Sequence, residues 1–128
     1  MNMKFLTCKK CGNIIAMVKD CGSPISCCDE KMTEIIPGTV EAANEKHIPV
    51  YELKGNTVCV TVGDVKHPML DNHYIEWVAI QTSSGNQRKA LTPGGEPEVC
   101  FSLCEGDELL AVYAYCNLHG LWMCTPAK

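Results

Sequence analysis

Apolar and β-branched residues alternate with polar ones in most of the chain that follows Pro49. Seven short runs have this character, at residues 50–53, 57–62, 74–81, 88–91, 99–103, 109–115 and 121–124. Turn-forming residues separate them, as at 54–56 and 83–86. Short strands with Gly, Pro, Asn and Asp between them are typical of antiparallel sheets. The pattern therefore predicts an antiparallel β-sandwich.

The first 36 residues have a different pattern. They predict short strands and turns without helical periodicity, and their apolar content is too thin to fold without a metal. A chain of 128 residues has room for one domain of ~90 residues plus such a module, with the break near Pro37-Gly38. We expect the segment 41–47 to be extended or looped, because Pro49 restricts the backbone before it.

Composition excludes several classes of partner. The net charge is −4, no Lys/Arg run exceeds two residues, and the chain has two Trp, four Tyr and two Phe, so we expect no nucleic-acid partner. No apolar stretch approaches the ~18 to 20 residues of a membrane span, and the first residues lack a signal-peptide pattern. We expect a cytoplasmic protein with no membrane partner.

Four of the ten cysteines form a compact ligand set: Cys8-x2-Cys11 and the adjacent pair Cys27-Cys28. Clustered thiolates favour metal ligation in a reducing compartment, and four of them select zinc or iron. Gly12 allows the backbone to reverse after Cys11. The adjacent pair is an unusual second half for a zinc ribbon and favours iron, with a structural zinc ribbon as the alternative.

All four histidines lie in a second group of motifs. His47, His67, His73 and His119 are accompanied by Cys116, three residues before His119. Five ligands are one more than structural zinc takes and one fewer than an octahedral ion takes, so a six-coordinate metal keeps an open position. A thiolate opposite that position donates electron density through the metal. The pattern indicates a reactive transition-metal site that attracts a small anion.

These residues resemble the desulfoferrodoxin family of superoxide reductases, specifically its two-iron members. The resemblance spans essentially the whole chain and rests on these motifs: Cys8-x2-Cys11, Cys27-Cys28, Glu45-Lys46-His47-x-Pro49, His67-Pro68-Met69, His73-Tyr74-Ile75-Glu76-Trp77 and Cys116-Asn117-Leu118-His119-Gly120. It implies a desulforedoxin-like four-cysteine iron module at residues 1–37. Residues 38–128 would form an immunoglobulin-like β-sandwich that carries the catalytic iron.

The resemblance also implies the chemistry. The second iron would have the four imidazoles in its equatorial plane and Cys116 as axial ligand. Ferrous iron would reduce superoxide by one electron to hydrogen peroxide. Glu45 would occupy the sixth position of the ferric form, while Lys46 would attract superoxide and help to deliver protons. Two irons per chain, a homodimer and rubredoxin or a similar electron donor complete what the family implies.

The chain departs from the family pattern without losing a ligand. Asp29 stands where glycine is expected, and Tyr74 stands where tryptophan is frequent. Five cysteines are additional: Cys21, Cys59, Cys100, Cys104 and Cys124. We expect Cys59, Cys100 and Cys124 to be small buried hydrophobic residues and Cys21 to be an exposed, oxidisable thiol. We assign none of the five a catalytic role.

Two other functions fit parts of the sequence. An electron carrier with two saturated metal sites would explain the cysteines, but five ligands at the second site argue against saturation. A zinc ribbon attached to a partner-binding sandwich would explain the first four cysteines but leaves four other residues unexplained: His47, His67, His73 and Cys116. Ligand identity alone does not separate a superoxide reductase from a superoxide dismutase.

Overall fold

The computed structural model describes residues 2–40 and 42–126. Its contacts divide the chain into two compact units, one ending at Ile36 and the other beginning at Pro37. The outermost residues of the two predicted domains, 1, 127 and 128, lie outside the described residues, as does Glu41. We describe each unit by itself.

The first unit is built from five short strands around a very small core. They are β1 (Phe5–Thr7), β2 (Ile14–Ala16), β3 (Ser26–Cys27), β4 (Glu30–Lys31) and β5 (Thr33–Glu34). One sheet has the order β2-β1-β5, and β3 pairs with β4. Among the described residues, one small buried cluster contains Leu6, Cys8 and Met32. One of these three is a predicted metal ligand, so little apolar surface is left to stabilise the unit.

The second unit is an antiparallel sandwich of two sheets, as the alternation predicts. A single helical turn, α1 (Asn44–His47), precedes seven strands: β6 (Pro49–Lys54), β7 (Thr57–Val62), β8 (Ile75–Thr82), β9 (Gly85–Ala90), β10 (Glu98–Ser102), β11 (Leu109–Cys116) and β12 (Gly120–Cys124). The sheet orders are β10-β7-β6 and β12-β11-β8-β9. The mainly β fold class is therefore confirmed.

The period of two in β7 explains where the core lies. Val58, Val60 and Val62 are fully or almost fully buried, while the alternate residues face outward. Across the sandwich, Ile80 and Val112 belong to the same buried cluster. Alternating strands bury one face of each sheet against the other. This packing sets the positions of the strand ends and of the loops that leave them.

Two local predictions were wrong. The segment predicted to be extended contains the helical turn α1, with the Ile48 amide donating to the carbonyl of Asn44 at 3.0 Å. The restriction imposed by Pro49 acts only on Ile48, which is extended, and leaves the preceding turn free. The turn predicted at 83–86 contains only two residues, because β9 begins at Gly85 opposite Thr82.

The extra cysteines also differ from expectation. Cys59 and Cys100, predicted to be buried hydrophobic residues, are joined by a disulfide on the outer face of the sandwich, where Cys100 is exposed and Cys59 half-buried. They lie at outward positions of the alternation, so their side chains cannot enter the core. Cys124 is half-buried, and Cys21 is exposed as predicted. Within the described residues, no helix has the length and apolarity needed to cross a bilayer.

Candidate metal centres

The four cysteines of the first unit come together as one group, here called the thiolate cluster. Their sulfur atoms all lie within 4.8 Å of one another. Cys8 directly follows β1 and Cys11 lies on the turn after it, which is closed by the Gly12 amide donating to the Cys8 carbonyl at 2.8 Å. Gly12 has a φ of 82°, which permits the predicted reversal. The sequence motif therefore folds into a ready-made metal knuckle.

The adjacent cysteines share one cluster because of a tight hairpin. Cys27 ends β3, and the next two residues, Cys28 and Asp29, have φ of 53° and 59° before β4 begins at Glu30. Two consecutive residues with positive φ are the mark of a two-residue type I′ turn. The turn brings the Cys28 sulfur to 4.0 Å from that of Cys27, although neighbouring residues of a strand point to opposite faces.

The protonation of the thiolate cluster is set by crowding and by backbone donors. The backbone amide of Cys11 lowers the pKa of Cys8 to about 7, with further help from the amide of Lys10. The neighbouring thiols, Cys11 first, raise the pKa of Cys28 to about 12. Four thiolates so close together repel one another, and a bound cation removes that repulsion. The cluster is therefore suited to a metal ion.

The second unit brings together the five other predicted ligands, here called the histidine-cysteine cluster. Each comes from the end of an element or from a loop: His47 ends α1, His67 follows β7, His73 precedes β8, and Cys116 ends β11 three residues before His119. Their donor atoms lie within 4.8 Å of one another. The strand ends at one end of a sandwich lie close together, which explains how residues so far apart in sequence converge.

The four imidazole rings form a square. Going round it, the ring centroids of His47 and His67 are 4.7 Å apart, those of His67 and His73 are 4.7 Å apart, and those of His73 and His119 are 5.1 Å apart. The separation from His119 back to His47 is 4.8 Å. Every neighbouring pair is close to perpendicular, with interplanar angles between 77° and 89°. Four imidazoles in a square suit the equatorial plane of one ion.

The hydrogen bonds of the rings select the nitrogen that faces the centre. Nδ1 of His47 lies 2.7 Å from the carbonyl of Ala43, and Nδ1 of His67 lies 2.7 Å from the carbonyl of Pro68. Each Nδ1–H therefore donates outward and leaves Nε2 free as a ligand. The two Nε2 atoms are 3.2 Å apart, close to the ~3.0 Å expected for two nitrogens at right angles about 2.1 Å from one ion.

An unpartnered buried nitrogen supports the same interpretation. Nε2 of His73 is buried and has no hydrogen-bond partner among the residues that the structure describes. A buried polar atom without a partner costs free energy unless something binds it. Nδ1 of His119, the fourth nitrogen, lies 3.1 Å from Nε2 of His47 and 3.8 Å from the sulfur of Cys116. The donor set of four nitrogens and one sulfur fits iron.

Burial favours the neutral, metal-binding form of three of the imidazoles, those of His47, His67 and His73. It lowers the pKa of His47 and His73, and it lowers that of His67 to about 4, with smaller contributions from the neighbouring rings. Burial also raises the pKa of Cys116, while the backbone amides of Leu118 and His119 act in the opposite direction. Those amides are placed to stabilise a thiolate.

Glu45 and Lys46 lie on the helical turn that ends with His47, and both are exposed. The positive charge of Lys46 contributes to the lowered pKa of His47 and His73, which places it in electrostatic reach of the cluster. The loop after β7 supports this turn: the Val65 amide donates to the Glu45 carbonyl at 3.0 Å. A Cβ on Gly63 would lie 2.8 Å from that oxygen and 2.7 Å from the Lys46 carbonyl.

Three supporting residues were not assigned a role from the sequence. Besides Gly63, Trp122 packs on the His47 ring at 5.1 Å and donates from Nε1 to the His119 carbonyl at 3.0 Å. Asn117 accepts from the Tyr74 amide at 2.9 Å and donates to the Asn72 carbonyl at 3.1 Å, which ties the two loops that carry His73 and His119. Asn117 lies inside a ligand motif, which was the available signal. Trp122 and Gly63 gave none.

Comparison with known proteins agrees with this geometry. The Desulfoferrodoxin family model matches residues 39–125. The desulfoferrodoxin of Syntrophotalea carbinolica is 42% identical over 115 residues, which cover 90% of each chain. The crystal structure of the superoxide reductase from Treponema pallidum covers 98% of this chain and 100% of its own, with a TM-score of 0.83 and 42% identity. The one-iron superoxide reductase of Giardia intestinalis covers 66% of this chain and 99% of its own, with a TM-score of 0.56 and 35% identity.

The extent of these matches decides the family. The family model covers well over half of the chain, and the S. carbinolica relative extends the likeness into the four-cysteine unit. The resemblance drawn from the ligand motifs is confirmed, and the two clusters are consistent with the two iron centres of such proteins. The chain belongs to the desulfoferrodoxin family.

Proposed function

We propose that this protein is a superoxide reductase, which converts superoxide to hydrogen peroxide by one-electron reduction at an iron held by the histidine-cysteine cluster. The observation that carries the proposal is the square of four near-perpendicular imidazoles with one thiolate beside it. Five ligands leave room for one more on a six-coordinate ion. The structural relatives from T. pallidum and G. intestinalis are named for the same activity.

Each residue of the cluster has a distinct task. When bound, ferrous iron supplies the electron and the open coordination position. The four histidines and Cys116 would hold it, and the Cys116 thiolate would donate electron density to it. We assign Lys46 the attraction of the superoxide anion and a part in proton delivery, while Glu45 would bind the iron in its ferric form. A local cation attracts an anion even though the net charge of the chain is −4.

We further propose that the two units have separate tasks, with a boundary at residues 37 and 38. Cys8, Cys11, Cys27 and Cys28 would bind a second iron that is not the site of superoxide reduction. The G. intestinalis relative supports this division, because it is described as a one-iron enzyme and is matched over 99% of its length by only 66% of this chain. Removing the iron of the thiolate cluster should therefore leave superoxide reduction at the histidine-cysteine cluster intact.

The partners and the location are also proposals. We infer that rubredoxin or a similar carrier supplies electrons, that the protein is a homodimer, and that it works in the cytoplasm. A reducing compartment suits the eight free cysteines. Light scattering during gel filtration tests the dimer, and the rate at which reduced rubredoxin reoxidises in the presence of the protein and superoxide tests the donor. A monomer of about 14 kDa would overturn the dimer.

Product stoichiometry tests the activity. Anaerobically purified protein is analysed for metal, reduced, and mixed with a limiting amount of superoxide while peroxide is counted. A reductase should contain two irons per chain and yield one peroxide for each superoxide consumed. Half as much peroxide would indicate dismutation. Zinc in both sites would indicate that the protein is a zinc-containing binding module and not an enzyme of this kind. Cys116→Ser should lower turnover sharply and leave the iron of the thiolate cluster unchanged. If the protein is only an electron carrier, this substitution should not change the amount of peroxide formed.

Charge steering by Lys46 has its own test. Lys46→Ala should slow superoxide capture several-fold at low salt and should flatten the dependence of the capture rate on ionic strength. Lys54→Ala is the matched control, because it removes the same charge from an exposed position on β6. Equal capture rates for the two variants at every ionic strength would refute the steering role.

A further inference from the structure

The disulfide between Cys59 and Cys100 includes no residue of either metal cluster. Cys59 is in β7 and Cys100 directly opposite in β10. Their neighbours Val58 and Phe101 point into the core and are fully buried, so the two sulfurs lie on the outer face of the sheet. Neither cysteine belongs to a metal-binding group, whereas five of the eight free cysteines do. The disulfide therefore needs an explanation other than metal binding.

Solvent reaches this pair. Cys100 is exposed and Cys59 is half-buried. Small oxidants and reductants therefore have access to the sulfur of Cys100 without any opening of the sandwich. Exposed disulfides are the ones that reductants attack and that act as labile or regulatory bonds. Cys124 differs in this respect, because it is half-buried and packs against the core.

The fold holds the two sulfurs opposite each other whether or not they are bonded. Five residue pairs join β10 to β7 in continuous register, from Glu98 opposite Thr61 to Ser102 opposite Thr57. The Cys59–Cys100 pair is the middle one of these five. Reduction therefore breaks a single covalent bond within a hydrogen-bonded ladder, and reoxidation needs no search for the partner.

The position of β10 gives the bond a structural consequence. In the order β10-β7-β6, β10 is an edge strand with one strand neighbour. Side chains from β9 bond two of its carbonyls: Nε2 of Gln87 donates to Ser102 at 2.9 Å, and Nζ of Lys89 donates to Cys100 at 2.6 Å. Edge strands are the parts of a sheet that open and pair wrongly most easily. A covalent link to β7 fastens this strand.

From this geometry we propose that Cys59 and Cys100 form a reversible dithiol/disulfide couple that hydrogen peroxide closes and a dithiol reductant opens. The Cys100 thiolate attacks one peroxide oxygen, the O–O bond breaks, and hydroxide leaves and is protonated to water. The resulting sulfenic acid is attacked by the Cys59 thiol, the S–O bond breaks, and a second water leaves. Two thiols are oxidised to one disulfide and one peroxide is reduced to two waters.

The source of the oxidant links the couple to the activity. Peroxide is the product of superoxide reduction, so the naming of peroxide as the physiological oxidant rests on the proposed function. The disulfide that links the edge strand to β7 would then form while the enzyme is turning over. The reaction of added peroxide with the couple does not depend on that activity.

The test uses ferric holoprotein that has been treated with a phosphine reductant and desalted, with metal content checked afterwards. Hydrogen peroxide is added in steps, the remaining thiols are alkylated, and the peptides are analysed by mass spectrometry. Cys59 and Cys100 should become protected together, with one pair closed per peroxide after subtraction of the peroxide consumed by the exposed thiol Cys21, and should reopen with a dithiol. Cys104, an exposed thiol outside both clusters, is the internal reference and should react at least tenfold more slowly.

Variants and a second readout complete the design. Cys59→Ser should leave Cys100 as a sulfenic acid that dimedone traps, while Cys100→Ser should leave Cys59 reduced. Hydrogen exchange should slow in β10, and not in β11, when the couple closes. A pair that phosphine does not open in the folded protein, or that stays open while Cys104 is oxidised, would overturn the proposal. If added peroxide closes the pair but superoxide with a reductant does not, the couple stands and the peroxide-producing activity fails.

Discussion

The two metal clusters are built in opposite ways. Of the four cysteines in the thiolate cluster only Cys8 is buried, and it belongs to a small cluster with Leu6 and Met32 among the described residues. The histidine-cysteine cluster lies at one end of a sandwich that has a much larger core, with Val58, Ile80 and Phe101 among its fully buried residues. His47, His67 and Cys116 are 3%, 2% and 0% exposed. In the first unit the metal must hold the fold together, whereas in the second the fold holds the metal ligands in place.

Iron removal should therefore separate the two units. Segments shorter than about 40 residues seldom fold without a metal or disulfide, and a structural metal contributes on the order of 10 kcal/mol in small peptides. We expect a strong chelator to abolish hydrogen-exchange protection in β1, β2 and β5. Strands β7, β8 and β11 should keep theirs, because their buried valines and isoleucines do not depend on the metal.

A matched variant makes this experiment specific. Cys8→Ser should lose the iron of the thiolate cluster and the protection of the first unit, with the absorption of the iron in the histidine-cysteine cluster unchanged. Loss of protection in β8 and β11 on chelation would show that the sandwich also depends on its metal, and the comparison would break down.

Gly63→Ala should produce the next largest effect, confined to the second unit. An added Cβ would meet the carbonyl oxygens of Val65, Lys46 and Glu45 at 2.4 to 2.8 Å, and φ is +88°. Backbone strain and overpacking together suggest a cost of roughly 3 kcal/mol. The turn that carries Glu45, Lys46 and His47 must move, so superoxide turnover and iron retention at the histidine-cysteine cluster should both fall.

The control for this change is another turn glycine. Gly55 has a φ of +58°, and an added Cβ there would meet no atom within 4 Å. Gly55→Ala should therefore cost only about 1 kcal/mol and leave turnover unchanged. Thermal unfolding and stopped-flow kinetics of the two variants measure the difference. A Gly63→Ala protein with normal turnover would show that this glycine does not position the helical turn.

The sequence predicted which cysteines and histidines come together, because metal coordination imposes local rules. A Cys-x2-Cys turn and a Cys-x2-His turn bring two donors to one ion whatever surrounds them. The strands were predictable for a similar reason, since the alternation in β7 follows from one buried face. The ligand set and the seven strands of the sandwich could therefore be inferred without coordinates.

The supporting residues could not be inferred, because their roles depend on contacts distant in sequence. Gly63 is required by carbonyls of residues 45 and 46, and Trp122 packs on His47, 75 positions earlier. The Cys59–Cys100 disulfide depends on the pairing of two strands 41 residues apart. Period and spacing show which face a residue occupies, but not which strand lies beside it.

Asn117→Ala should have a moderate effect on the second unit. It removes the side-chain hydrogen bonds to the Tyr74 amide and the Asn72 carbonyl, each with a net contribution of about 1 kcal/mol. Because these bonds hold the loop that carries His73, iron should dissociate faster from the histidine-cysteine cluster. Competition with a chelator measures the rate. Asn86→Ala, at an exposed position of β9, is the control, and equal dissociation rates would contradict the role.

The smallest effect is expected at the turn that makes the thiolate cluster possible. Asp29 has a φ of 59°, a conformation that costs an ordinary residue about 1 to 2 kcal/mol and that glycine adopts freely. Asp29→Gly should therefore stabilise the holo form of the first unit, but by only about 0.5 kcal/mol, because glycine also gains entropy in the unfolded chain. Asp29→Ala should destabilise it. Iron release during denaturant titration measures both variants, and a more stable Asp29→Ala would mean that turn geometry does not limit this cluster. If stability falls in the order Asp29→Gly, wild type, Asp29→Ala, a single turn residue measurably changes the stability of the unit that depends on its metal. A change of about 0.5 kcal/mol is small beside the stability that the larger core gives the sandwich.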